Sequence, residues 1–168
     1  KYPAVFNFAG LKQVDKLTVN LGYVTENAAA LCFPDLEEVT GLLTLSEGSN
    51  GSFKQIEPVQ LPVLRKVGAL TYTGVIPVLE LPALESVEGE FRVSTSYQNG
   101  PVRMLEEICV PNLKKVGGLV LTTSAYNTNS YNNLITDLSC FSALESAGYV
   151  NIQKQAALVS FEGLKKVI

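Results

Sequence analysis

The sequence predicts a mainly β fold: a solenoid of about seven two-stranded coils with little helix, forming one domain over residues 1–168. Three observations carry this expectation. A corner centred on leucine recurs at Leu11, Leu36, Leu64, Leu84, Leu113, Leu144 and Leu164, at intervals of 20 to 31 residues. Self-similarity at such a period marks stacked repeats whose insertions are confined to one loop. Apolar residues stand at fixed offsets on both sides of each corner. Finally, the residue after each leucine reads Lys12, Glu37, Arg65, Glu85, Lys114, Glu145, Lys165, so the charge alternates at every coil. In a parallel stack these side chains are neighbours, where opposite charges help and like charges hurt. Each exposed pair contributes only about 0–1 kcal/mol. Its larger effect is to disfavour slipping by one coil.

Each coil opens with a short strand that ends three residues before the leucine. Apolar pairs two residues apart mark it: Phe6 and Phe8, Leu31 and Phe33, Val59 and Leu61, Leu79 and Leu81, Ile108 and Val110, Val159 and Phe161. A period of two puts both members on the inner face. The sixth coil departs from the pattern, with Ser139 ahead of Phe141. Proline then closes the strand at Pro34, Pro62, Pro82 and Pro111, because it cannot continue a ladder. Around the corner the leucine turns inward, and so does the residue three further on: Val14, Val39, Val67, Val87, Val116, Ala147 or Val167.

A second strand follows, read from Leu17 and Val19, Leu43 and Leu45, Leu70 and Tyr72, Phe91 and Val93, Leu119 and Leu121, Val150 and Ile152. Gly41, Gly89 and Gly118 precede it and suggest positive φ or a close backbone approach. Polar loops are expected at about 20–28, 46–55, 94–103 and 122–133. The start at Lys1 and the stop at Ile168, just past a corner, read as a piece excised from a longer surface protein.

Composition narrows the function. The net charge of −3, with no basic cluster, argues against a nucleic-acid partner. No apolar run is long enough for a membrane span. The chain has no His, which removes His-based triads and most zinc sites. Paired acids could indicate glycoside chemistry. Glu37 with Glu38, Glu106 with Glu107, and Glu85 with Glu88 and Glu90 read instead as structural, since adjacent pairs point apart and the ladder supplies cations. No catalytic residue, cofactor or metal site is expected, and the chain reads as a non-enzyme.

Cys32, Cys109 and Cys140 all stand immediately before the apolar residue that precedes a corner, where other coils have Asn7, Gln60, Glu80 and Ser160. They therefore share one column. Successive coils put the Cα atoms of Cys109 and Cys140 about 4.8 Å apart. That is within disulfide range, although in-register parallel neighbours strain the dihedral. Free thiols are the preferred reading and a bond between the two stays open. Three cysteines at distant positions without His are no metal signature.

The loops carry the binding candidates: Tyr23 in the first, Tyr97 and Asn99 in the third, and Tyr126, Asn127, Asn129 and Tyr131 in the fourth. Tyr with Asn, Ser and Gly makes adaptable recognition surfaces, because Tyr offers area at low entropic cost. Loops of one class leave a solenoid on one edge, so these should be neighbours. Asn50-Gly51-Ser52 also matches a glycosylation acceptor.

The corner Phe33-Pro34-Asp35-Leu36-Glu37-Glu38-Val39-Thr40-Gly41-Leu42-Leu43-Thr44-Leu45 resembles the repeats of receptor L domains, within the leucine-rich-repeat class of right-handed solenoids. The likeness is closest to versions in bacterial cell-surface and fungal cell-wall proteins and covers residues 6–168. It implies an extracellular or cell-surface module, non-enzymatic, that binds protein or carbohydrate. The expected function is adhesion or recognition through the long-loop edge. A β-helical polysaccharide-active enzyme and a structural spacer domain are the alternatives.

Overall fold

A computed structural model describes residues 5–23, 30–48, 59–73, 78–96, 105–124, 135–155 and 157–164. Its strands are β1 (Val5–Asn7), β2 (Gln13–Val14), β3 (Leu17–Tyr23), β4 (Ala30–Cys32), β5 (Glu38–Gly48), β6 (Lys66–Thr73), β7 (Val78–Glu80), β8 (Ser86–Ser96), β9 (Glu107–Cys109), β10 (Lys115–Ser124), β11 (Ser146–Ala147) and β12 (Val150–Gln153). Among the described residues, helix is limited to two single 3-10 turns, Ser139–Phe141 and Glu162–Leu164. Among the described residues, no helix is long and apolar enough to cross a membrane.

All strand pairing is parallel, and partners come from successive coils. The molecule is thus a β-solenoid of stacked parallel coils. The strands that follow the corners form one eight-stranded sheet in the order β11-β10-β8-β6-β5-β2, with β12 also on β10 and β3 on β5. The short strands before the corners pair separately, β1 with β4 and β7 with β9, and a lone bridge joins Cys32 to Gln60. Among the described residues, four coils carry a strand both before and after the corner: β1 with β2–β3, β4 with β5, β7 with β8, and β9 with β10.

The corners are β-turns. In each, the leucine N–H donates to the carbonyl three residues back, from Leu11 to Phe8 at 3.5 Å through Leu84 to Leu81 at 3.2 Å to Leu164 to Phe161 at 2.9 Å. Pro34, Pro62, Pro82 and Pro111 occupy the second turn position, where a fixed φ near −65° suits the bend. Proline therefore shapes the turn as well as ending the strand.

The inward columns form in the expected register. Val14, Val39, Val67, Val87, Val116 and Ala147 pair successively across the sheet. Leu36, Leu64, Leu84, Leu113 and Leu144 are fully buried beside them. Phe91 and Phe141 meet within this core, with ring centroids 6.1 Å apart. Burying such side chains is the main stabilising term, about 1.5–3 kcal/mol each. The alternating charges stack as expected: the N–H groups of Glu37, Arg65, Glu85, Lys114 and Glu145 donate in turn to the carbonyls of Lys12, Glu37, Arg65, Glu85 and Lys114. Within this ladder Arg65 reaches Glu85 at 3.8 Å.

The glycines settle between the two options their positions left open. Gly10, with φ of 85°, is the only glycine with positive φ among the described residues. Gly41, Gly89 and Gly118 serve close approach, a Cβ there crowding the Asp15 carbonyl, the Gly68 carbonyl and the Tyr149 ring. A Cβ on Gly68 would strike the Thr40 carbonyl, and one on Gly117 would strike the Glu88 carbonyl. The register shifts at these same places, between Val67 and Leu70 and between Val116 and Gly118. Each rung therefore carries a bulge that presses backbone onto backbone, where only hydrogen fits.

Three expectations need correction. Phe6, Phe8, Val159 and Phe161 are exposed rather than enclosed, Val159 by 85%. Phe8 does join its column, stacking on Phe33 at 4.6 Å. The terminal rungs have a described neighbour on one side only, so half of each ring stays uncovered. In the sixth coil the first strand is replaced by the 3-10 turn at Ser139–Phe141, where the apolar alternation had failed. Lastly, the second strands outrun the expected loop onsets, reaching Tyr23, Gly48, Ser96 and Ser124. The backbone ladder continues through these polar residues.

Candidate functional site

The outer face of the main sheet is built from residues that alternate with buried Val19, Leu45, Tyr72, Val93 and Leu121. One outward row runs through Thr18, Thr44, Thr71, Arg92, Val120 and Asn151. Next to it lie Asn20, Ser46 and Thr73, and further along Ser94, Thr122 and Gln153. The face thus presents hydroxyl and amide groups at the strand spacing of about 4.8 Å.

Its character changes at β8. Glu90 and Arg92, two residues apart, share the outer face and form a fork: Arg92 Nε donates to Glu90 Oε2 at 2.8 Å and Nη2 to Oε1 at 2.9 Å. From two rungs away the Tyr149 hydroxyl donates to Glu90 Oε1 at 2.5 Å. Gly118 lies between them in register with Glu90, and a Cβ there would enter the Tyr149 ring. The ring therefore covers Gly118, with Tyr149 still 49% exposed. Beside the cluster Val120 is buried although it faces away from the main core, flanked in register by Arg92 and Asn151.

Charge-assisted, bidentate hydrogen bonds are strong and fix geometry. Their electrostatic effect is visible in both partners. The Arg92 hydrogen bond, followed by that of Tyr149, holds the Glu90 carboxyl below the usual range. The hydrogen bond to Glu90 pushes the Tyr149 phenol above its ordinary value. The result is a rigid aromatic surface with a fixed guanidinium, a carboxylate and neighbouring amides. Such a surface can stack on an apolar ligand face and hydrogen-bond hydroxyls or amides at its edge. The acids do not converge: Glu85 goes to Arg65, Glu88 to Lys115 at 3.2 Å, and Glu90 to Arg92.

A second cluster lies on the small sheet. Glu107 and Cys109 both face outward from β9, on either side of buried Ile108. Cys140 Sγ donates to Glu107 Oε1 at 3.4 Å. The ligand atoms of Glu107, Cys109 and Cys140 lie within 4.8 Å of one another. Burial, reinforced by the Glu107 carboxylate and by Cys109, pushes the Cys140 thiol up to about 12. All three cysteines are free thiols. The expected column is present, with Asn7 paired to Cys32, Cys32 to Gln60, and Glu80 to Cys109.

Of the loop candidates, Tyr23 proves to be the last residue of β3, in register with Gly48 of β5. Tyr97, Asn99, Tyr126, Asn127, Asn129 and Tyr131 lie outside the described residues, as does the Asn50-Gly51-Ser52 triplet. The strands leading to them end side by side: Ser96 pairs with Ser124, and Tyr23 with Gly48. Sequence reading missed the Glu90–Arg92–Tyr149 cluster. The signal was present, because Phe91, Leu119 and Val150 were already aligned, and the residues just before them are Glu90, Gly118 and Tyr149. It also missed Glu107 beside the two cysteines, which the period of two places on the same face.

Comparison with protein-family models, with curated proteins and with solved structures gives no match for this chain.

Proposed function

We propose that this chain is a non-enzymatic recognition module of an extracellular or cell-surface protein. In this reading it is a right-handed, L-domain-like member of the leucine-rich-repeat class with about seven coils, one for each leucine corner. It binds protein or glycan through the edge where the long loops leave the sheet. The observation that carries the reading is the register of the strand ends. Ser96 beside Ser124 and Tyr23 beside Gly48 bring the starts of the Tyr/Asn-rich segments onto one margin. The Thr, Ser and Asn rows and exposed Tyr149 extend a polar, hydrogen-bonding surface inward from it.

The test is a glycan array and a pull-down from matrix extract, run with the intact chain and with a Tyr97→Ala/Tyr126→Ala/Tyr131→Ala variant. Binding by the first and its loss in the second supports the loop edge. Equal binding by both moves recognition elsewhere, and two blank assays favour the spacer reading.

A polysaccharide-active enzyme is the second reading, favoured by one observation: Glu90, Arg92 and Tyr149 place an acid, a cation and a phenol in direct contact. Against it, the acids nearby are each engaged by a separate cation. Release of reducing ends or unsaturated sugars from a polysaccharide panel, abolished by Arg92→Ala, would establish it.

A further inference from the structure

We propose that Glu107, Cys109 and Cys140 form a binding site for a zinc-class divalent cation, which clips two successive coils together. This goes beyond the recognition function and does not depend on it.

The topology places the three groups. Cys109 ends β9, and Glu107 two residues earlier projects from the same side. Cys140 comes from the following coil, inside the 3-10 turn that replaces the strand there. Two sulfurs and a carboxylate oxygen thus converge from two coils, all within 4.8 Å. With zinc–sulfur bonds of about 2.3 Å and zinc–oxygen bonds of about 2.0–2.2 Å, a tetrahedral ion draws its donors to roughly 3.5–3.8 Å, a closure of about an ångström that side-chain rotation supplies. Thiolates with a carboxylate select a borderline-soft cation such as zinc over magnesium or calcium. The fourth position opens to solvent, since Glu107 is exposed.

Two further observations favour a cation. Among the described residues, Glu107 takes part in no ion pair and its hydrogen-bond partner is Cys140. Among the described residues, three potential anions therefore meet with no ion-paired cation. A divalent ion would displace the thiol protons to solvent and be held by the thiolates. The site also lies at the end of the small sheet. The small sheet ends at β9, and among the described residues the next coil offers no strand to pair with it. A metal bridge there would replace the missing ladder. Cys32, in the same column but beyond Gln60 and Glu80, lies outside this cluster and serves as an internal control.

The experiment titrates the full chain, kept reduced with a phosphine, with cadmium as a spectroscopic probe and then displaces cadmium with zinc. The expected result is one ion per chain, a thiolate-to-metal charge-transfer band, and release of about two protons per ion with affinity rising with pH. The band is lost in Cys109→Ser and Cys140→Ser and retained in Cys32→Ser. Glu107→Gln keeps the band but weakens binding. Circular dichroism of each variant confirms that the solenoid is intact, which is expected for near-isosteric changes at half-buried positions. Absence of the band in the intact chain, or its persistence in Cys109→Ser, overturns the proposal. So does a Cys109–Cys140 disulfide that forms in air despite saturating zinc.

Discussion

Tyr149 and Glu90 meet across 59 residues of sequence, the phenol donating to the carboxylate over the bare backbone of Gly118. The contact spans three successive rungs. It depends on the middle one carrying no side chain, so Gly118→Ala should push the ring aside. We expect the Tyr149 phenol to titrate lower, back toward its ordinary value, in ultraviolet difference spectra. Stability should change little, because the displaced ring is half exposed.

The same pair sets two edges of a pH profile. Glu90 has a lowered pKa in the folded chain, so its contribution is present above the unfolded value of about 4.3 and is lost as pH falls through the folded one. Tyr149 has a raised pKa, so its contribution is present below the unfolded value of about 10 and is lost as pH rises through the folded one. Arg92→Ala should flatten the acid edge more than Tyr149→Phe does, since the Arg92 hydrogen bond is the larger cause. Urea midpoints measured from acid to alkaline pH would show this.

The core columns should respond according to their place in the rod. Leu84→Ala, in mid-stack and fully buried, should cost about 2–5 kcal/mol in chemical denaturation. Phe8→Ala should cost much less, because Phe8 is exposed on one face and touches a single ring, Phe33.

Backbone crowding makes a separate prediction. Gly117→Ala drives a methyl group into the Glu88 carbonyl, and a carbonyl in the ladder cannot step aside. We expect a loss of about 1–3 kcal/mol, comparable with overpacking a core, whereas Gly10→Ala meets no atom and is strained only through its φ of 85°.

The Cys140 thiol carries a prediction of its own. Held protonated to about 12, Cys140 should resist iodoacetamide at pH 8.5 in metal-free solution. Glu107→Gln removes its hydrogen-bond acceptor and a nearby negative charge, so alkylation of Cys140 should quicken, as mass spectrometry of labelled peptides would record.

Much of the fold was legible because a stacked coil repeats its constraints. The valine column from Val14 to Ala147 and the charge ladder from Lys12 to Glu145 followed from spacing alone. Exposure at the ends was less legible. Phe6 and Val159 carry the same alternation as buried Leu79 and Ile108, and only the count of neighbouring rungs separates them. The candidate surface was the least legible part. Glu90, Arg92 and Tyr149 satisfy no local motif, and their meeting depends on Gly118 one rung away. Tyr149 sits beside a strand, away from the Tyr/Asn-rich loops.

The in-register strand ends have a last consequence. The strands end in register at Ser96 and Ser124, past the last buried residues of their columns, Val93 and Leu121. Under the proposed reading, durability and selectivity are separable traits: variation written on one margin alters what the molecule grips while the spine that holds it upright stays the same.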